Sequence, residues 1–141
     1  MNRMKKILFL CAAIALLAAC SGPKGVVKIE PNGNEAAGED STEYELIVLD
    51  PGFDSWYMLQ DSPARYRSQQ YYEGWNRQYV SEWNALARQP GRRSFFNTII
   101  GYEPSEDYGF ELNHKLFYYF QYVENVLRIP ILTNRPRGVV F

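Results

Sequence analysis

Cysteine and histidine are almost missing from this chain, with two cysteines and one histidine in 141 residues. A single imidazole, His114, cannot build a His-rich metal site, and one lone histidine does not define a Ser-His-Asp arrangement. No glycine-rich phosphate loop occurs. The longest apolar run, Ile7 to Leu17, is too short for a bilayer span, which takes about 20 apolar residues. Charge of one sign is also lacking. Residues 51–141 hold ten basic and nine acidic groups, a formal net of +1, and no concentrated basic face for nucleic acid follows from that. No internal repeat is visible.

What is present begins with an address. Met1 to Lys6 is basic, the apolar run follows, and small residues precede Cys20. That order describes a secretory signal peptide over residues 1–19. Leu17-Ala18-Ala19-Cys20 resembles the bacterial lipobox, in which the cysteine sulfur receives a diacylglycerol and the chain is cut just before it. Lipidation at Cys20 is therefore expected, with a further acyl chain on the new N-terminus. Several chains anchor far more firmly than one. Ser21 follows the cysteine where an aspartate would signal inner-membrane retention, and no acidic run follows. By resemblance to sorting rules in diderm bacteria, the expected location is the cell envelope, on the periplasmic face of the outer membrane. With Cys11 removed and Cys20 acylated, the mature chain would keep no thiol, which excludes disulfides and cysteine-based catalysis.

Residues 20–43 are rich in Gly, Pro, Asn and Glu, and read as a flexible acidic tether carrying Glu35, Glu39 and Asp40. Within it, Val26 to Ile29 could form a strand but is expected to stay loose. One small globular domain is expected over 44–132, followed by a tail over 133–141. Its fold class is mainly α with minor β (α+β): two long amphipathic helices packed together with a short strand or strand pair. Tyr44 to Leu49 reads as a strand ended by an Asp50-Pro51-Gly52 turn, and Phe53 to Gln60 as two helical turns. Ser62-Pro63 predicts the start of a helix running to about Arg88. "SFFNTII" reads as a short helix or strand. A second long helix is expected from about Gly109 to Arg128, with Asp107 as its cap. Ile129 to Leu132 is expected to lie extended beside the first strand.

Aromatic residues are abundant, with eleven Tyr, eight Phe and three Trp. At about 100° per residue, Tyr72, Trp75, Tyr79, Trp83 and Leu86 fall on one narrow stripe opposite Gln70, Arg77, Ser81 and Arg88. Such a stripe is a core-facing side rather than a sugar platform, because the helix would otherwise have nothing with which to pack. The second helix keeps a surplus. Leu112, Leu116, Tyr119, Phe120, Val123 and Leu127 share one face, while His114, Phe117, Tyr118 and Tyr122 lie elsewhere on the helix. Those four are the candidate binding surface, with coverage by other elements as the alternative.

Nine carboxylates, Asp50, Asp54, Asp61, Glu73, Glu82, Glu103, Glu106, Asp107 and Glu111, supply the two that a glycosidase needs about 5–9.5 Å apart, yet nothing in their spacing selects a pair. Glu103, Glu106, Asp107 and Glu111 lack the spacing of a calcium loop and suit a helix start. Arg88, Arg92 and Arg93 read as a solvated turn. No catalytic residue, metal ligand or cofactor is assigned.

Two stretches, "YYEGWNRQYVSEWN" (71–84) and "YEPSEDYGFELNHKLFYYFQYVE" (102–124), resemble a family of short, uncharacterised lipoproteins of Bacteroidota, a domain-of-unknown-function group. The resemblance spans about Tyr44 to Leu132 and implies an envelope location without an activity or site residues. The expected function is a membrane-anchored, non-enzymatic lipoprotein that contacts an envelope protein. The alternative is a glycan- or peptidoglycan-binding module using the surplus rings, and after it a small carboxylate-dependent hydrolase. The expected partners are the membrane through Cys20, an envelope protein, and in the alternative a glycan; nucleic acid is not expected.

Overall fold

The computed structural model describes residues 25–33, 42–89, 91 and 95–136. The expected signal peptide, Cys20, Arg92 and Arg93, and most of the expected tether and tail lie outside them.

Alternation builds the sheet. Val27 and Ile29 take turns with Lys28 and Glu30, and Leu46 sits between Glu45 and Ile47. Strands β1 (Val27–Pro31) and β2 (Tyr44–Val48) pair antiparallel, Val27 opposite Val48 and Ile29 opposite Leu46. Because side chains alternate across a strand, this register puts Val27, Ile29, Leu46 and Val48 on one face, where Val27 and Leu46 are buried. The expectation that Val26 to Ile29 stays loose is thereby corrected. Two alternating apolar residues suffice for a strand when a partner strand and a core lie against them.

Helix α1 (Pro51–Gln60) follows directly. The Asp50-Pro51-Gly52 turn is in fact its start: Gly52 N–H donates to Asp50 Oδ1 at 3.0 Å and Pro51 takes the first helical position, where a missing N–H costs nothing. Ser62-Pro63 opens only a short 3-10 turn, Pro63–Arg65, and the Ser62 side chain makes no capping bond. Local side chains stop the turn there. Arg65 Nη2 donates to Gln60 O at 2.8 Å, and Tyr66 Oη donates to Asp61 Oδ1 at 2.5 Å. Helix α2 (Gln69–Arg88) starts instead at Ser68, whose Oγ accepts from Tyr71 N–H.

The expected stripe of α2 holds. Tyr72, Tyr79, Trp83 and Leu86 are buried and Trp75 is half-buried. Each such ring removes ~150–250 Å² from water. Tyr79 stacks on Phe120 with centroids 4.8 Å apart, and Trp83 meets Phe96 edge-on at 4.9 Å. The "SFFNTII" segment forms no regular element among the described residues, apart from an isolated parallel bridge between Phe96 and Gly25. Polar bonds position it. Trp83 Nε1–H donates to Thr98 O at 2.8 Å, while the Asn84 amide bonds both the N–H and the carbonyl of Ile100.

Helix α3 (Gly109–Asn125) is the central element, packed by α2 on one side and by α1 and β2 on the other. Tyr108 rather than the expected Asp107 takes the N-cap position, without a side-chain capping bond; Asp107, one residue earlier, accepts from Gly109 N–H at 2.9 Å, and Gly109 takes the left-handed conformation (φ 73°) that favours glycine. The helix ends before Arg128, which itself has φ 59°. Ile129 to Leu132 does not join the sheet. Its backbone turns back onto α3, where Ile131 and Leu132 N–H both donate to Glu124 Oε1 at 2.9 and 2.8 Å. A buried carboxylate is a stronger acceptor for those two amides than a strand edge.

Candidate functional site

His114 is the only imidazole, and rings surround it. Phe110 and Tyr118 lie one turn away on α3, at 5.5 and 4.6 Å between centroids. Tyr57 comes from α1, Tyr66 from the segment after the 3-10 turn and Tyr72 from α2. Tyr57 Oη lies 2.7 Å from His114 Nδ1, whereas His114 Nε2 is buried with no hydrogen-bond partner among the described residues. A pocket of about 310 Å³ opens beside the ring, lined also by Asp61, Glu111 and Lys115.

The electrostatics follow from burial. Desolvation lowers the His114 pKa below its ordinary value, against a smaller opposing pull from Asp61, so the imidazole is neutral at pH 7. Burial raises the Tyr57 phenol well above its ordinary range. Tyr66 is pushed up to about 12, first by its hydrogen bond to Asp61. These groups are therefore neutral hydrogen-bonding partners. A neutral imidazole beside a protonated phenol can exchange a hydrogen bond, but it activates no nucleophile without an oriented third group.

The expected open surface is corrected here. His114, Phe117, Tyr118 and Tyr122 are all buried. Helix α1 covers this side of α3: Trp56 packs on Tyr118 and Tyr122 at 6.2 and 5.4 Å, and Phe53 on Tyr122 at 5.6 Å. Phe117 packs instead on Tyr71 and Tyr72. The structure brings His114, Phe117 and Tyr118 together and sets Tyr122 at the other end of α1, with its hydroxyl 3.4 Å from Asp50 Oδ1. The surplus rings exist because α3 is buried on both sides.

Two further polar clusters escaped the sequence reading. Glu124, buried on α3, accepts from Tyr79 Oη at 2.8 Å as well as from the two amides above, and Arg135 Nε stands 3.4 Å from its Oε1. Gln121 Nε2 donates in turn to Tyr79 Oη at 3.0 Å. In the second cluster, Asn76 Nδ2 donates to Asn113 O and Oδ1, and Tyr102 Oη donates to Asn113 Oδ1 at 2.7 Å. The signal for Asn76 was available. It falls about 40° from Tyr72 on the helical wheel, inside the apolar stripe, where a polar residue must find a buried partner. Glu124 gave no such signal, because its partners come from α2 and from the segment after α3.

Among the described residues no group of three or more His, Cys, Asp or Glu could hold a metal ion, and no helix is long and apolar enough to cross a membrane. Fold and clusters define a small α+β domain whose buried polar groups hold its elements in register. The chain belongs to a family of unknown function, DUF6146, whose model matches residues 8–134. No curated protein and no solved structure shows significant similarity to it.

Proposed function

We propose that this protein is a membrane-anchored envelope lipoprotein of the Bacteroidota type, acylated at Cys20, whose domain is a non-enzymatic module that contacts an envelope protein. The address rests on the lipobox-like Leu17-Ala18-Ala19-Cys20. The observation that carries the interaction role is on α1. Met58 and Leu59, consecutive on this helix, are 72 % and 78 % exposed beside the half-buried Trp56. Large adjacent apolar side chains left in water favour a protein contact. The glycan alternative needs open rings, and the rings it named are covered.

A photo-crosslinking residue at Leu59 in the full chain, activated in intact cells, tests this reading. One discrete protein adduct is expected, absent when the crosslinker sits at exposed Ser81. Equal adduct patterns at both positions would remove α1 as the contact surface. The anchor has its own test: Cys20→Ala should accumulate an uncleaved, unacylated precursor, and normal processing would refute acylation.

A further inference from the structure

The chain enters the domain much closer to Cys20 than its composition suggests. Gly25 N–H donates to Phe95 O at 2.8 Å, and residue 25 pairs with Phe96. A Cβ at Gly25 would lie 2.6 Å from a Trp83 ring carbon and 2.8 Å from Phe95, so only glycine lets the backbone rest on the core here. Val27, two residues on, is fully buried. The expected tether of residues 20–43 thus divides. Residues 34–41 connect the two strands, and only residues 21–24 lie between Cys20 and the clamped Gly25.

That distance sets the geometry. Five residue steps reach at most roughly 18 Å at about 3.6 Å each. The headgroup layer on one side of a bilayer already takes up ~5–7 Å. A domain held this closely rests against the lipid surface with the end at which the chain enters. The same end displays two exposed apolar side chains from separate segments. Leu49 is 66 % exposed, and its N–H donates to Val26 O at 3.0 Å. Ile99 is 50 % exposed and follows Thr98, whose hydroxyl bonds both the N–H and the carbonyl of Val27. Both flank the first residues of β1.

We infer that the end of the domain carrying Leu49 and Ile99 is a membrane-docking surface, seated in the headgroup region of the bilayer that holds the Cys20 acyl chains. The inference rests on the proposed acylation of Cys20. It assigns the two ends of α1 different tasks. The end beside Leu49 faces lipid, and Met58 and Leu59, about two turns further along, face the envelope space. Docking limits the domain's tumbling and presents that second surface outward.

The test uses the full, cell-processed chain with Cys11 absent after maturation, reconstituted into phosphatidylethanolamine–phosphatidylglycerol vesicles. Leu49→Cys, Ile99→Cys and Met58→Cys each carry an environment-sensitive fluorophore, and mass spectrometry of the same preparations reads the acyl mass at Cys20. With the acyl mass present, the labels at positions 49 and 99 should shift to the blue and be quenched by lipids brominated on the acyl chains, while that at 58 keeps a water-like spectrum. The double substitution Leu49→Asp with Ile99→Asp should lower vesicle binding of the mature-length Cys20→Ser chain, made without residues 1–19, about tenfold or more. Acylated protein with water-like labels at 49 and 99 overturns the inference and leaves the lipoprotein reading standing. A blue shift without bromine quenching assigns these residues to a protein contact, in a second copy or in residues 137–141, and also overturns it. Absence of the acyl mass defeats both.

Discussion

Two of the four buried polar side chains of helix α3, His114 and Glu124, lie ten residues apart, and their surroundings differ. Glu124 is fully satisfied: a phenol and two backbone amides donate to its carboxyl group, and a guanidinium stands beside it. His114 is neutral and only half satisfied, with Tyr57 on Nδ1 and nothing on Nε2 among the described residues. A buried charge is tolerable only when paired and hydrogen-bonded, whereas a neutral group can be left with one nitrogen unmatched at a smaller penalty. Glu124 is therefore a structural fastener that draws the chain after α3 back onto the core. His114 is a place where the fold tolerates imperfection.

The largest effect should come from breaking the better-satisfied site. Glu124→Ala orphans two backbone amides and the Tyr79 hydroxyl, and should cost roughly 3–5 kcal/mol in urea denaturation. Amide exchange at Ile131 and Leu132 should accelerate far beyond exchange in α2; uniform acceleration would mean that Glu124 is not a local fastener. Tyr79→Phe removes one donor from the same site and should cost about 1–2 kcal/mol. An equal loss in Tyr79→Phe and in a Gln121→Met, Tyr79→Phe double variant would show that Gln121 acts through Tyr79.

On the other side of the comparison, pH is the probe. His114 has a lowered pKa in the fold, so the unfolded chain takes up its proton first as pH falls. Stability from this residue is complete above about 6.5 and is lost as pH drops from there through the folded value. Asp61, opposing the shift, faces it together with Tyr57, Tyr66, Glu111 and Lys115. His114→Gln should flatten the stability profile below about pH 6.5. An unchanged slope would contradict a neutral buried imidazole. Tyr57→Phe should have the smallest effect, about 0.5–1 kcal/mol, because the site it leaves is already incompletely paired. A loss as large as that of Glu124→Ala would erase the distinction between the two sites.

Much of this was legible along the chain, and the failures share a cause. The α2 stripe could be read because one helix's own periodicity determines which side is apolar. The end of α2 before Pro90-Gly91 and the start of α3 at Gly109 followed from local punctuation. The start of α2 did not, because Arg65 and Tyr66 make bonds back to the end of α1 that outweigh a good local cap at Ser62. Strand β1 was hidden in a segment of tether-like composition, since its stabilising partner lies beyond Pro31 and a further stretch of polar chain. The four candidate rings looked free because nothing local announces that α1 folds over them.

By itself, then, the sequence determined the α+β class, the core face of α2 and the scarcity of cysteine and histidine. All of these depend on residue identity or on spacing within one element. Only the tertiary structure decided that α3 is buried on both sides, that Glu124 gathers the following segment, and that Gly25, five residues after Cys20, is held against the core. Each of those depends on groups far apart in the chain meeting in space. Burial makes such meetings obligatory, because an unpaired amide or an uncovered ring costs more than the chain entropy spent in covering it.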